Sequence, residues 1–120
     1  MKVTTTEFKN AVLLFESGLI EQTGDLTNKS ALAMAFTKFA PQIDSAIAAL
    51  SKDGFVNVDE VKTYIDAGLK GGGGKIVLKP EIPQWARLIG VTIKDITITS
   101  QEAEDFFTKI LPAVSPSAVQ

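Results

Sequence analysis

The chain has neither cysteine nor histidine among its 120 residues. Without cysteine, disulfides and thiol chemistry are excluded. Without histidine, the commonest general base, the usual zinc ligand and the side chain that titrates near neutrality are lost together. No Ser-His-Asp or Cys-His arrangement can exist. Long apolar runs are missing as well: none approaches the roughly 18 consecutive residues that a transmembrane helix requires. The opening MKVTTTEFKNAVLLFESG lacks the unbroken apolar core and small-residue cleavage site of a signal peptide. The expectation is a soluble, cytoplasmic protein. The net charge of −2 argues against a strongly basic nucleic-acid binder.

What is present is ordinary for a globular domain: 45% hydrophobic and 22% charged residues, in a length that suits one core. Thr4-x-x-Glu7 is a capping box, so a first helix should begin after Thr4, with Phe8, Val12, Phe15 and Leu19 as its apolar stripe, widened by Leu14 and Ile20. Thr23 to Asp25 should end it. Leu32, Phe36, Phe39, Ile43, Ile47 and Leu50 then keep one face across Pro41, which predicts a kink or break near Ala40 with both halves on the same core. Asn57 should cap a third helix, with Val58, Val61, Tyr64, Ile65 and Leu69 on its buried side and Val56 stapled to Val61.

Beyond Gly71 to Gly74, whose backbone entropy opposes a helix, the character changes. Residues 75–79 and 95–99, KIVLK and DITIT, have the β-branched alternation of strands, and the intervening segment carries a VTI stretch of similar type. Pro83 should open a short helical turn that Gly90 closes. Thr99-x-x-Glu102 is a second capping box, ahead of Ala103, Phe106, Phe107 and Ile110, with Pro112 as the stop. The predicted fold is α+β and mainly α: three to four N-terminal helices, a small antiparallel β-hairpin or meander, and a C-terminal helix. Residues 1–112 form a single domain (helical part 4–70, glycine link 71–74, hairpin region 75–99, final helix 100–111), with 113–120 as a tail.

Residues 51–61, SKDGFVNVDEV, resemble the calcium-binding loop of an EF-hand. With Gly54 at loop position 6, Asp53 falls at position 5, Val56 at 8 and Glu60 at 12. Position 1 is then Ala49, which supplies no ligand, and position 3 is Ser51. Without a metal the same residues make a tight Asp53-Gly54 turn, a staple at Val56 and a cap at Asn57, completed by Glu60, and that is the reading adopted. A calcium-responsive module would use Asp53, Asn57 and Glu60. GGGGK at 71–75 is not a phosphate loop, because Leu69 and Ile76 occupy the glycine and hydroxyl positions and the run joins a helix to a strand. It reads as a flexible link. Asp59, Glu60, Glu102, Glu104 and Asp105 sit in first helical turns, where negative charge suits the helix dipole and exposure is expected.

One region is uneven. From Lys70 to Lys94 there are five bases (Lys70, Lys75, Lys79, Arg87, Lys94) against Glu81, a charge of +4 that leaves −6 elsewhere. The same segment holds the only tryptophan and the only arginine, Trp85 and Arg87, types enriched at interface hot spots. Trp85, Arg87, Lys75, Lys79 and Lys94 are therefore the candidate partner-binding residues, with Trp85 either plugging the hairpin against the helices or standing out as an anchor. The expected function is non-enzymatic: a small structural or adaptor protein acting through protein–protein contacts or self-association, with no cofactor or substrate. The alternatives are the calcium-responsive module and a nucleic-acid accessory role for residues 70–94.

Overall fold

Two short sheets sit at different places along a helical body. The computed structural model describes residues 1–81, 84–90, 93 and 95–117. Its elements are β1 (Lys2–Thr4), α1 (Thr5–Gln22), α2 (Leu26–Leu50), β2 (Ser51–Lys52), β3 (Phe55–Asn57), α3 (Val58–Gly71), β4 (Lys75–Leu78), α4 (Gln84–Leu88), β5 (Ile96–Thr99) and α5 (Ser100–Asp105). A π-helical turn (Phe106–Ile110) and α6 (Leu111–Ala113) continue α5 without interruption. The fold is thus α+β and mainly helical.

The first helix begins as its capping box dictates. Thr4 Oγ1 accepts from the Glu7 N–H at 3.1 Å, and Glu7 Oε1 accepts from the Thr4 N–H at 2.9 Å. The other carboxylate oxygen of Glu7 accepts from the Ser117 N–H at 3.0 Å, fastening the tail to the start of α1. Gly24, with φ +87°, takes the left-handed position after the helix. Asp25 then caps α2 by accepting from the Asn28 N–H. Leu14 does not widen the buried stripe of α1; it is exposed.

Of the kink or break expected near Ala40, the break does not occur: α2 is a single helix from Leu26 to Leu50 with Pro41 inside it. Proline in a helix interior costs about 3 kcal/mol. Leu32 and Phe36 are buried before it and Ile47 after it, so burial on both sides opposes a break. Tyr64, expected on the buried side of α3, is exposed. The final helix runs past Pro112 to Ala113. Since Pro112 has no N–H to give, the register widens just before it, and the Leu111 N–H bonds the Phe106 carbonyl five residues back. The wider turn leaves Phe106 and Leu111 buried, with Phe107 and Ile110 packed half-buried beside them.

The residues between α2 and α3 form strands as well as a turn. Asp53 and Gly54 have φ +54° and +80°, the signature of a two-residue type I′ turn, and join β2 to β3 in register Ser51↔Val56 and Lys52↔Phe55. β1 adds to the other edge of β3 (Lys2↔Asn57, Thr4↔Phe55), giving the antiparallel order β1-β3-β2, with β2 and β3 inside the part, 4–70, expected to hold helices joined by turns. Two helix starts are tied into this sheet, the Thr5 N–H to the Gly54 carbonyl and the Val58 N–H to the Met1 carbonyl, both at 2.9 Å.

The glycine run is a hydrogen-bonded turn. Gly74 N–H reaches the Leu69 carbonyl at 2.7 Å, and Gly73 and Gly74 both have positive φ. A Cβ on Gly72 would lie 2.3 Å from the Lys75 carbonyl oxygen. The predicted hairpin follows, with β4 and β5 antiparallel in register Lys75↔Thr99 through Leu78↔Ile96. Among the described residues this sheet has two strands; Val91 and Thr92, part of the expected VTI strand, lie outside them, as does Pro83.

The main core gathers Val3, Phe8, Ile47, Val56, Val61, Phe106 and Leu111. A smaller cluster of Leu19, Leu32 and Phe36 underlies the β4–β5 hairpin, and a third, among the described residues, joins Ala31, Ala86 and Ile93. The molecule measures 52 × 27 × 24 Å, with a radius of gyration of 15.5 Å. A compact chain of this length would have about 14 Å.

Candidate functional site

α4 is five residues long and inverted in its polarity. It turns its smallest apolar side chain inward: Ala86 is fully buried against Ala31 of α2 and Ile93. Trp85, Leu88 and Ile89 are 53%, 79% and 67% exposed. Positions i, i+3 and i+4 share one helical face, so these three side chains make an outward apolar stripe. The turn closes on Gly90 (φ +73°), whose N–H bonds the Arg87 carbonyl, as the expected helix stop requires.

The segment is held to α2 at a second point. Lys38 on α2 forms an ion pair and hydrogen bond with Glu81, and that ammonium holds the Glu81 carboxyl below its ordinary range. Lys79, Pro80 and Glu81 lie beside Met34, Lys38 and Phe39 of α2, and Ala86 meets Ala31 nearer the N-terminus of that helix.

Of the residues singled out from the sequence, Trp85 and Arg87 both stand exposed on α4. Trp85 is therefore not a plug between hairpin and helices. Lys75 begins β4 and Lys79 follows its end, four residues of strand apart, or about 13 Å. Lys94 lies outside the described residues. Leu88 and Ile89 were missed, although their spacing from Trp85 is in the sequence. Nothing in that spacing says which face of so short a helix meets α2.

The residues of the EF-hand-like loop are each engaged separately. Asn57 Oδ1 accepts from the Asp59 N–H at 3.0 Å, the predicted cap. Glu60 does not complete that cap; its carboxylate pairs with Lys52 across the hairpin at 3.6 Å. Asp53 sits at the left-handed first position of the turn. Among the described residues, no group of three or more acidic side chains is placed to share a cation, and no helix is long and apolar enough to cross a membrane.

A second feature lies on another face. An apolar cleft of about 140 Å³ opens between α1 (Phe8, Val12, Phe15), the β4–β5 hairpin (Ile76, Ile98) and Phe106. Val12, Phe15, Ile76 and Ile98 are half-buried, so the cleft reaches solvent. It follows the seam between the main core and the smaller cluster. Comparison of the chain with models of protein families, with curated proteins and with solved structures found no match.

Proposed function

We propose that this is a small non-enzymatic adaptor or structural protein whose contact element is α4. The observation that supports this reading is the inverted polarity of that helix. A helix formed only to cover α2 would bury its largest side chains, and this one buries an alanine while exposing Trp85, Leu88 and Ile89. Anchors at i, i+3 and i+4 are how a helix engages an apolar groove on a partner; Arg87, exposed on the same short helix, is two residues from Trp85 and lies off that stripe.

Retention of binding proteins on immobilised chain tests the reading. The wild-type chain should retain one or more proteins that the triple variant Trp85→Ala, Leu88→Ala, Ile89→Ala does not, while both keep the same circular dichroism. Equal retention by the two chains overturns it.

A further inference from the structure

We infer that the cleft between α1 and the β4–β5 hairpin is a binding site for a small uncharged aromatic molecule of a single ring. The site lies apart from α4 and does not depend on the contact reading above.

The hairpin shows why the space is there. Its register pairs Ile76 with Ile98 and Leu78 with Ile96, so strand alternation turns both pairs to one face and leaves Val77 on the other. The Leu78–Ile96 pair has a packed seat, the cluster of Leu19, Leu32 and Phe36. The Ile76–Ile98 pair stands over the cleft, with Phe8, Val12 and Phe15 of α1 across from it. Ile98 touches the edge of the smaller cluster, whereas Ile76, half-buried, packs against neither cluster of described residues. One inward pair therefore rests on side chains and the other on a space of about 140 Å³. Protein interiors are close-packed, and a void leaves its walls without contacts on one side.

The walls select the guest by chemistry. Every lining side chain is a hydrocarbon, with Ile65 of α3 and Ala103 of α5 closing the sides. None of these side chains can meet a polar group, so a charge or hydroxyl entering the cleft loses its water with nothing in return. Volume sets the size. An apolar cavity of about 150 Å³ with aliphatic and aromatic walls stays dry and holds benzene, whereas a drug-sized ligand needs upwards of about 300 Å³. The rings already present favour an aromatic guest. Phe106 meets Phe8 and Phe15 edge-on at 5.9 and 5.4 Å, and one more ring extends that edge-to-face arrangement. Phe8 and Phe106 are buried, while Val12, Phe15, Ile76 and Ile98 are half-buried and leave a mouth.

A guest would also tie the hairpin to the body. A two-stranded hairpin is marginal alone, and the guest supplies the contacts that the Ile76–Ile98 pair lacks. Binding should therefore be felt in β4 and β5.

Benzene titrated into the full chain, with methyl groups followed by NMR, is the test. The methyl signals of Val12, Ile65, Ile76 and Ile98 should move together under the ring current of the guest, while those of Leu50, which does not line the cleft, stay in place. At ten times its Kd, benzene should raise Tm by about 4 °C and slow amide exchange in β4 and β5. Benzoate, the same ring with a carboxylate, should do neither at that concentration. Val12→Phe sets a ring into the cleft and should abolish the shifts at Ile76 and Ile98. Ile98→Gln, which sets an amide there, should weaken benzene by about tenfold or more.

Absence of methyl shifts in water saturated with benzene overturns the inference. So do shifts that benzoate reproduces, or that both cleft variants leave unchanged, because the ring is then held elsewhere. Proteins retained by the unmodified chain but not by Val12→Phe, and released by benzene, would make the cleft a seat for a partner's side chain and overturn it too. None of these readouts involves Trp85, so this inference and the α4 reading stand or fall separately.

Discussion

Around Val56 and around Ala86, the same chain covers the side of α2 by very different means. At the first pole, three strands, two helix starts, the C-terminal helix and the tail converge. Val3, Val56 and Leu111 are fully buried there, and Phe106 meets Phe8, Phe15 and Phe107 edge-on at 5.9, 5.4 and 5.1 Å. At the second, the contact among the described residues is made by two alanines and an isoleucine, helped by an exposed ion pair between Lys38 and Glu81. Exposed pairs of that kind contribute little. Large apolar side chains are present at both poles. At the first they define the core, and at the second they face water. The lesson is that burial potential is placed where the fold needs it in one region and displayed outward in the other.

The comparison is broken most severely at Phe106. Phe106→Ala should cost about 3–5 kcal/mol, read by denaturant titration, because the cavity it leaves is ringed by three aromatic neighbours. Next comes Gly72→Ala. The new methyl would meet the backbone carbonyl of Lys75, which has no free end to move, so a loss of more than about 1 kcal/mol is expected by the same measurement.

Two carboxylates sharpen the contrast through pH. Backbone donation from Ser117 and then Thr4 holds the Glu7 carboxyl below its ordinary 4.5. Its contribution is complete above that value and is lost as pH falls through the lower folded one. Glu16 runs the other way: burial and Asp44 raise its pKa, so its ionised form opposes folding at neutral pH, and that opposition fades as pH falls. Melting temperatures followed from neutral pH into acid should therefore show Glu7→Gln destabilised at neutrality and less sensitive to acid. Glu16→Gln should be stabilised at neutrality, with its advantage shrinking in acid. The smallest effect belongs to the second pole: Trp85→Ala should change the stability of the monomer by no more than about 0.5 kcal/mol. A larger loss, measured at dilutions where the chain is monomeric, would mean that Trp85 is part of the core after all.

Much of this was readable where the signal is local. The capping box at Thr4, the Asn57 cap, the Asp53-Gly54 turn and the β4–β5 strands depend on neighbouring residues, and each forms where the spacing places it, whereas at Thr99 only the N-cap half of the expected box forms, the Glu102 N–H donating to Thr99 Oγ1. The β1–β3 pairing was not readable. Three residues at each partner are too few to show alternation, and more than fifty residues separate them in the chain. Pro41 does not break α2 because its penalty is local while the burial holding the helix together lies on both sides of it. The exposure of Trp85 depends on which face of a five-residue helix meets α2, and the spacing of its apolar residues does not decide that. Ala86 takes the inner place because it alone is small enough to let α4 lie close along Ala31.

Glu7 has one more consequence, in how the molecule is handled. By accepting from Thr4 on one side and Ser117 on the other, it draws both described ends of the chain to the Val56 pole. Ala31, where α4 docks, is sixteen residues along α2 from Ile47, or about 24 Å away. A bead, a dye or a neighbouring domain attached at either end would therefore hang from the same pole and leave α4 facing outward. The chain has, in effect, one end where both described termini gather and another from which α4 projects.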